Sequence, residues 1–176
     1  MTNKKSKEWN PYKSKWKAAL EKGLDLSLDE KDNVLYLGAS SGTTVSQISK
    51  LTQGIIFAVE NSPKMAVQLL RKAEQNKNIA PIFSDARDID YIKKAIQGKK
   101  INVLFQDIPS IDQAEILVKN SRLVDKNCKI FFSLKTQSIA QQDYKKTAEE
   151  AEKKIKSFFK ITQKVDLTPF HKKHFF

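Results

Sequence analysis

At 176 residues the chain can bury one sizeable core, and its formal net charge of +12 points to polyanionic partners, nucleic acid foremost. No apolar run approaches the roughly 20 residues of a membrane-spanning helix, and the polar start Met1-Thr2-Asn3-Lys4-Lys5-Ser6-Lys7-Glu8 lacks a secretory core, so a soluble cytoplasmic protein without a membrane partner is expected. A single cysteine, Cys128, and two histidines exclude an internal disulfide and make a zinc centre or other metal site unexpected.

Residues 1–8 read as a flexible basic tail ahead of a single domain over 9–176. Trp9-Asn10-Pro11-Tyr12 opens a predicted helix with Pro11 in its first turn; Trp16, Ala19 and Leu20 supply its apolar stripe and Gly23 stops it. Asp29 to Asn33 turns into a first strand, Val34 to Leu37. The stretch Gly38-Ala39-Ser40-Ser41-Gly42-Thr43-Thr44 then reads as a tight turn into a helix carrying Val45, Ile48 and Leu51, broken by Gly54. Ile55 to Val59 is a continuous apolar run, as a buried parallel strand should be, and it ends in Glu60. Ser62-Pro63 caps a helix predicted to bury Met65, Ala66, Leu69, Leu70 and Ala73.

Ile79 to Phe83 is a third strand whose Pro81 suggests an edge position. Ser84-Asp85-Ala86-Arg87 loops into a helix marked by Ile89, Ile92, Ala95 and Ile96. Ile101 to Phe105 is strand four, ending at Gln106-Asp107, and a helix from about Asp112 follows, with Ala114, Leu117, Val118 and Leu123 inward. Lys129 to Leu134 is strand five, ending at Lys135. A longer helix places Tyr144, Ala148, Ala151, Ile155 and Phe158 on one face and charge on the other. Ile161 to Leu167 alternates as a sixth strand, and Thr168-Pro169 turns the chain.

Strands alternating with helices imply an α/β fold, a mostly parallel sheet covered on both faces, with the carboxyl ends of its strands on one rim where ligands bind. On that rim fall the glycine turn, Glu60, Asp85-Ala86, Asp107 and Lys135. An acid about 20 residues past the glycines suits ribose hydroxyls, and a carboxylate at Asp85 suits an exocyclic adenine amine. The turn is Gly-x-x-x-Gly and lacks the full Gly-x-Gly-x-x-Gly of nicotinamide enzymes.

Trp9-Asn10-Pro11-Tyr12-Lys13-Ser14-Lys15, Val34 to Ser46 with its Leu-Gly-Ala-Ser-Ser-Gly-Thr-Thr core, Ala58-Val59-Glu60-Asn61-Ser62 and Asp85-Ala86-Arg87 together closely resemble the fibrillarin family, over about Trp9 to His174. The resemblance implies a class I S-adenosylmethionine-dependent methyltransferase fold, Rossmann-like, that methylates RNA ribose 2′-hydroxyls of ribosomal or transfer RNA under box C/D guide RNA. It implies as partners a Nop-type scaffold protein and a kink-turn-binding protein of ribosomal type, in an archaeal-type cell. By the same resemblance Gly38, Ala39, Gly42, Thr43 and Thr44 form the S-adenosylmethionine loop, Glu60 takes the ribose with Asn61 beside it, and Asp85 and Ala86 hold the adenine. The family's catalytic set falls on Lys15, Asp107, Lys135 and His174. Lys135 is the implied base, oriented by Asp107, which also reaches the cofactor, while Lys15 and His174 hold the ribose and phosphate. A lysine base needs partial burial and a neighbouring cation.

Three departures from the family pattern stand out. Only eight residues precede Trp9, where relatives carry a small β-rich domain. The family's Asp-x-Ala-Gln after strand four is here Asp107-Ile108-Pro109-Ser110, and Gln113 is expected to compensate at the cofactor. The chain stops at Phe176, so the family's last strand, beside strand five, is expected to be truncated to a stub. The alternatives are a non-catalytic cofactor-binding scaffold of the same particle and a methyltransferase acting on protein glutamine or another acceptor.

Overall fold

A computed structural model of the protein describes residues 9–136 and 144–176. The expected basic tail, residues 1–8, lies outside the described residues, as does the side chain of Tyr144. The elements run α1 (Lys15–Glu21), β1 (Val34–Leu37), α2 (Thr43–Ile48), β2 (Ile56–Glu60), α3 (Pro63–Gln75), β3 (Ile79–Phe83), α4 (Ile89–Ala95), β4 (Val103–Gln106), α5 (Gln113–Asn120), β5 (Lys129–Phe132), β6 (Leu134–Lys135), α6 (Tyr144–Lys156) and β7 (His174–Phe175). They divide into two compact units. One comprises residues 27–107 and 119–131; the other comprises residues up to 26, 108–118 and 132–176.

The first unit carries the sheet, in the order β3-β2-β1-β4-β5. β1 pairs in parallel with β2 and with β4, and β2 with β3. Every residue of β1, β2 and β4 is buried, which is why these strands read as unbroken apolar runs. β3 lies at one edge, where the missing N–H of Pro81 costs no ladder bond. α2 stops at Ile48, well before Gly54. The Asn78 amide donates to the carbonyls of Ser49, Thr52 and Gly54, so those groups need no further helix. α3 buries only Leu69. Met65, Ala66 and Ala73 are half-buried, and Val67 and Leu70 are exposed, so the expected inward stripe is narrower than its apolar content.

In the second unit the first helix starts later than expected. Asn10 Oδ1 accepts from the Tyr12 N–H at 2.9 Å, an Asx turn that occupies the Trp-Asn-Pro-Tyr segment. Ser14 then caps α1, its hydroxyl accepting from the Lys17 N–H. The helix ends at Gly23 in a Schellman arrangement: the Leu24 N–H donates to Ala19 O and the Gly23 N–H to Leu20 O, with Gly23 at φ +86°. Ala18, not Leu20, completes its buried face beside Trp16 and Ala19. Leu134, Ala148 and Ala151 form a cluster with Phe132 and Phe175 packed on it. Phe158, expected on the same helix face, falls beyond the end of α6 and is 61% exposed.

The expected sixth strand is absent from 161–167. Only Asp166 forms a bridge, to Phe175, with backbone bonds joining Val165 to Phe176 and Leu167 to His174. The segment before it is held by side chains: Gln163 accepts from the Asp25 N–H, and Lys164 pairs with Glu152 and lies 5.3 Å from the Phe175 ring centroid. The expected fifth strand divides at Ser133 into β5, an edge of the parallel sheet, and β6, which pairs antiparallel with β7 in a separate two-stranded sheet, so the stub expected beside strand five is not part of the parallel sheet. Among the described residues, no helix is long and apolar enough to cross a membrane.

Candidate functional site

Parallel registration brings the strand ends of the first unit to one rim. Leu37 is the Cα partner of both Val59 and Gln106, so Gly38, Glu60 and Asp107 follow on three adjacent strands. The Asp107 N–H continues the ladder to Leu37 O at 3.0 Å, and the Ser84 N–H reaches Glu60 O, bringing Asp85 to the same edge.

The turn after β1 needs left-handed backbone three times, at Gly38 (φ +83°), Ser40 (+50°) and Gly42 (+77°). Gly42 has a second reason to be glycine: a Cβ there would lie 2.8 Å from Leu69 Cδ1. Glu60 fixes this turn. Its Oε2 accepts from the Ser40 N–H and its Oε1 from the Ser62 N–H, both at 2.7 Å, so one carboxylate joins the glycine turn to the start of α3. Glu60 is only 8% exposed. A carboxylate oxygen takes two donors, so each retains a lone pair for a ribose hydroxyl. Asn61 follows it on the surface.

Asp85, expected at the adenine, is half-exposed and carries a local clasp. Its carboxylate accepts from the Arg87 N–H at 2.8 Å and pairs with the Arg87 guanidinium at 3.1 Å. Ala86 is buried, and its carbonyl accepts from Asn120 Nδ2 at 2.9 Å. Asn120 is fully buried and was not anticipated as a support for this loop.

Tyr36 is a second residue that the sequence reading passed over. Its ring stacks on Phe105 at 4.4 Å between centroids, and Thr44 hydrogen-bonds its hydroxyl. Burial pushes the phenol well above its ordinary pKa; the Asp107 carboxylate pushes the same way and the Thr44 bond opposes them. Tyr36 therefore stays neutral and ties the first turn of α2 to the end of β4. The available signal was a tyrosine in an aliphatic strand, because a buried hydroxyl needs a partner.

The second unit holds Lys15, Gln113, Lys135 and His174. Lys15 opens α1 directly after its Ser14 cap. Lys135 and His174 are Cα partners across β6 and β7. The Lys135 backbone is not turned toward β7. Its N–H donates to Gln113 Oε1 at 3.0 Å and its carbonyl accepts from Gln113 Nε2 at 3.0 Å, while the neighbouring Thr136 N–H goes to Lys173 O. Lys135 and His174 are thus a pair without mutual backbone bonds, the type in which cross-strand side chains stand closest on one face. His174 Nδ1 lies 2.8 Å from Lys172 O, which fixes the proton on Nδ1 because a carbonyl only accepts. The His171 ring, 5.8 Å from that of His174, bonds through Nε2 to Pro11 O, and Phe170 meets Tyr12 edge-on. The Trp-Asn-Pro-Tyr segment is thereby clasped by the chain just ahead of His174. Gln113, expected beside the cofactor, has its amide on Lys135 and on Ser110 O at 2.9 Å.

The donor set fits S-adenosylmethionine. The turn carries glycines at both of its ends, Gly38 and Gly42, and beside it Glu60 keeps lone pairs that can accept from hydroxyls, a chemistry that suits a ribose-bearing ligand. A family model described as Fibrillarin matches residues 1–176. The chain is similar to the fibrillarin-like rRNA/tRNA 2′-O-methyltransferase of Methanocaldococcus jannaschii, 36% identical over 172 residues that cover 94% of this chain and 74% of the relative. Among solved structures it is similar to fibrillarin in a fibrillarin/Nop5p complex, with TM-score 0.90, 34% identity and coverage of 96% of this chain and 81% of the other. It is also similar to Aeropyrum pernix fibrillarin with natively bound S-adenosyl-L-methionine, with TM-score 0.85, 32% identity and coverage of 95% and 74%.

Proposed function

This chain belongs to the fibrillarin family and has the class I methyltransferase fold, and from that premise we propose that it transfers methyl groups from S-adenosylmethionine to RNA ribose 2′-hydroxyls. The substrates proposed are ribosomal and transfer RNA, selected by box C/D guide RNA. The proposed assembly is a cytoplasmic ribonucleoprotein with a Nop-type scaffold and a kink-turn-binding protein. The charge of +12 suits a surface that reads RNA backbone while base pairing with the guide reads sequence.

When bound, S-adenosylmethionine supplies an activated methyl group on a sulfonium, so the protein must position the acceptor and remove its proton. Glu60 accepts from the ribose hydroxyls of the cofactor, the Gly38–Thr44 turn receives the methionine end, and Asp85 and Ala86 flank the adenine. Lys135 Nζ takes the proton of the RNA 2′-hydroxyl as general base. His174, with its proton held on Nδ1, offers Nε2 on the same strand pair toward the RNA ribose and phosphate. Lys15 neutralises phosphate charge, and Asp107 supplies the negative charge of the set.

The observation that supports this reading most is the strand pairing of Lys135 with His174, which puts the proposed base beside a phosphate-side imidazole. The experiment is guided methyl transfer to one defined ribose in the reconstituted particle, wild type beside Lys135→Ala. Loss of about 10²- to 10⁴-fold in turnover at unchanged cofactor affinity is expected for removal of a general base. Full activity of folded Lys135→Ala overturns the assignment of the base. Cofactor binding by the wild type without any transfer selects a scaffold, and transfer only to glutamine side chains or another acceptor selects a different substrate.

A further inference from the structure

We propose that Gln113 is the positioning residue for Lys135, a side chain that completes the sheet on the edge of β6 that β7 leaves open. The inference rests on the reading of Lys135 as the base. β6 is two residues long, and two residues of ladder do not fix a strand. On one side it has β7, through Leu134↔Phe175 and Lys135↔His174. On the other side, the N–H and C=O of Lys135 meet no strand among the described residues. The primary amide of Gln113 takes both, accepting through Oε1 and donating through Nε2, each at 3.0 Å, as a neighbouring backbone would.

The second proton of Nε2 goes to Ser110 O at 2.9 Å, so both protons of that nitrogen are committed to carbonyls. Gln113 is completely buried and opens α5, whose preceding residue Asp112 accepts from the Ile116 N–H. A buried amide with this many bonds has a defined plane, and the Lys135 backbone must lie in register with it. Any rotation of the Lys135 peptide breaks two bonds in a water-poor setting. The Lys135 side chain therefore leaves the strand in one direction, toward the face that it shares with His174. No other amino acid performs all three contacts here. Glutamate keeps the acceptor for the Lys135 N–H and loses both donations, asparagine is one methylene short, and leucine fills the volume with none of the bonds.

The test is the pair Gln113→Leu and Gln113→Glu, alone and combined with Lys135→Ala, in the reconstituted particle. Cofactor affinity is measured separately on the full chain, and hydrogen exchange at the Lys135 amide is followed by NMR. A misplaced base is expected to lower kcat by about 10- to 100-fold in Gln113→Leu, with the cofactor Kd within about twofold of wild type and the Lys135 amide selectively deprotected. Gln113→Glu, which keeps the bond to that amide, is expected to protect it and still lose turnover. Gln113→Leu combined with Lys135→Ala is expected to be no slower than Lys135→Ala alone, because the amide acts only through the lysine. Normal turnover in either folded single variant, additive losses in the double variant, or a raised cofactor Kd at normal saturated turnover each overturns the role of Gln113 while leaving the base assignment intact. Full activity in Lys135→Ala overturns the base assignment, and this role with it. Should Gln113→Leu fail to fold, Gln113→Glu and its double variant decide between the same outcomes.

Discussion

Glu60→Gln separates the structural duty of this carboxylate from the ligand-binding duty proposed for it. In the folded chain Glu60 accepts two backbone N–H groups, from Ser40 and Ser62, each at 2.7 Å and nearly out of solvent. Hydrogen bonds to a charged acceptor contribute about 1.5–3 kcal/mol each. Glutamine keeps one oxygen and turns an NH2 toward the other donor, so one bond is lost and one donor faces a donor. The expected loss of stability is about 2–4 kcal/mol, less than the 5–15 kcal/mol typical of a domain, so the variant folds at 25 °C.

The same change replaces the charged acceptor proposed for the ribose hydroxyls by a neutral one. It is expected to raise the cofactor Kd by about 10- to 100-fold. Urea denaturation gives the first quantity, and titration calorimetry with S-adenosylmethionine on the folded variant gives the second. Unchanged stability refutes the hydrogen-bond argument. Lowered stability with wild-type affinity leaves Glu60 as a support for the turn and removes it from the ligand set.

Tyr36→Phe tests the buried phenol: because its folded pKa is raised, the unfolded chain releases that proton first and stability falls as pH rises beyond about 10, by about 1.4 kcal/mol per pH unit. Urea midpoints between pH 8 and 11 are expected to show that decline in wild type and a shallower one in Tyr36→Phe, with equal slopes counting against the assignment; at neutral pH the variant loses about 1 kcal/mol with the Thr44 bond. Gly42→Ala forces φ +77° on a residue with a Cβ and presses it on Leu69, so a loss of about 2–4 kcal/mol and weaker cofactor binding are expected, and an unmoved denaturation midpoint would refute the packing argument. Burial pushes the Cys128 thiol up to about 12, so alkylation by iodoacetamide at pH 8 is expected to run roughly 10³-fold slower in the folded chain than in urea; comparable rates would refute it.

Much of the fold was legible because its signals are local. β1 and β3 occur at their predicted bounds, and β2 and β4 within two residues, since buried parallel strands are apolar runs punctuated by glycine, proline and acid. The rim followed from topology alone. What failed depended on partners distant in sequence. The carbonyls that end α2 at Ile48 are satisfied by Asn78, and the alternation of 161–167 gave way to contacts of its own side chains with the Asp25 N–H, Glu152 and Phe175. Leu70 matched the apolar stripe of α3 but is 53% exposed. β6 and β7 are each two residues long, and no periodicity can be read from two residues.

The site divides along the same line. Residues that would face a ligand were read from their type and place, as Glu60 for a ribose and the glycines for a close approach, or came from the family resemblance, as Lys135 for a proton. The supporting contacts of Asn120, Tyr36 and Gln113 were not foreseen, because they involve backbone groups or a buried hydroxyl that only tertiary structure brings together. This bears on the departure at Ser110, where relatives are expected to carry glutamine. Ser110 gives its carbonyl to the Gln113 amide, and its hydroxyl pairs with Asp112. A carbonyl is supplied by any residue, and a hydroxyl beside Asp112 tightens the loop ahead of α5. The Gln113–Lys135 contact therefore does not depend on a glutamine side chain at 110. The exchange at Ser110 leaves the hold on the proposed base in place.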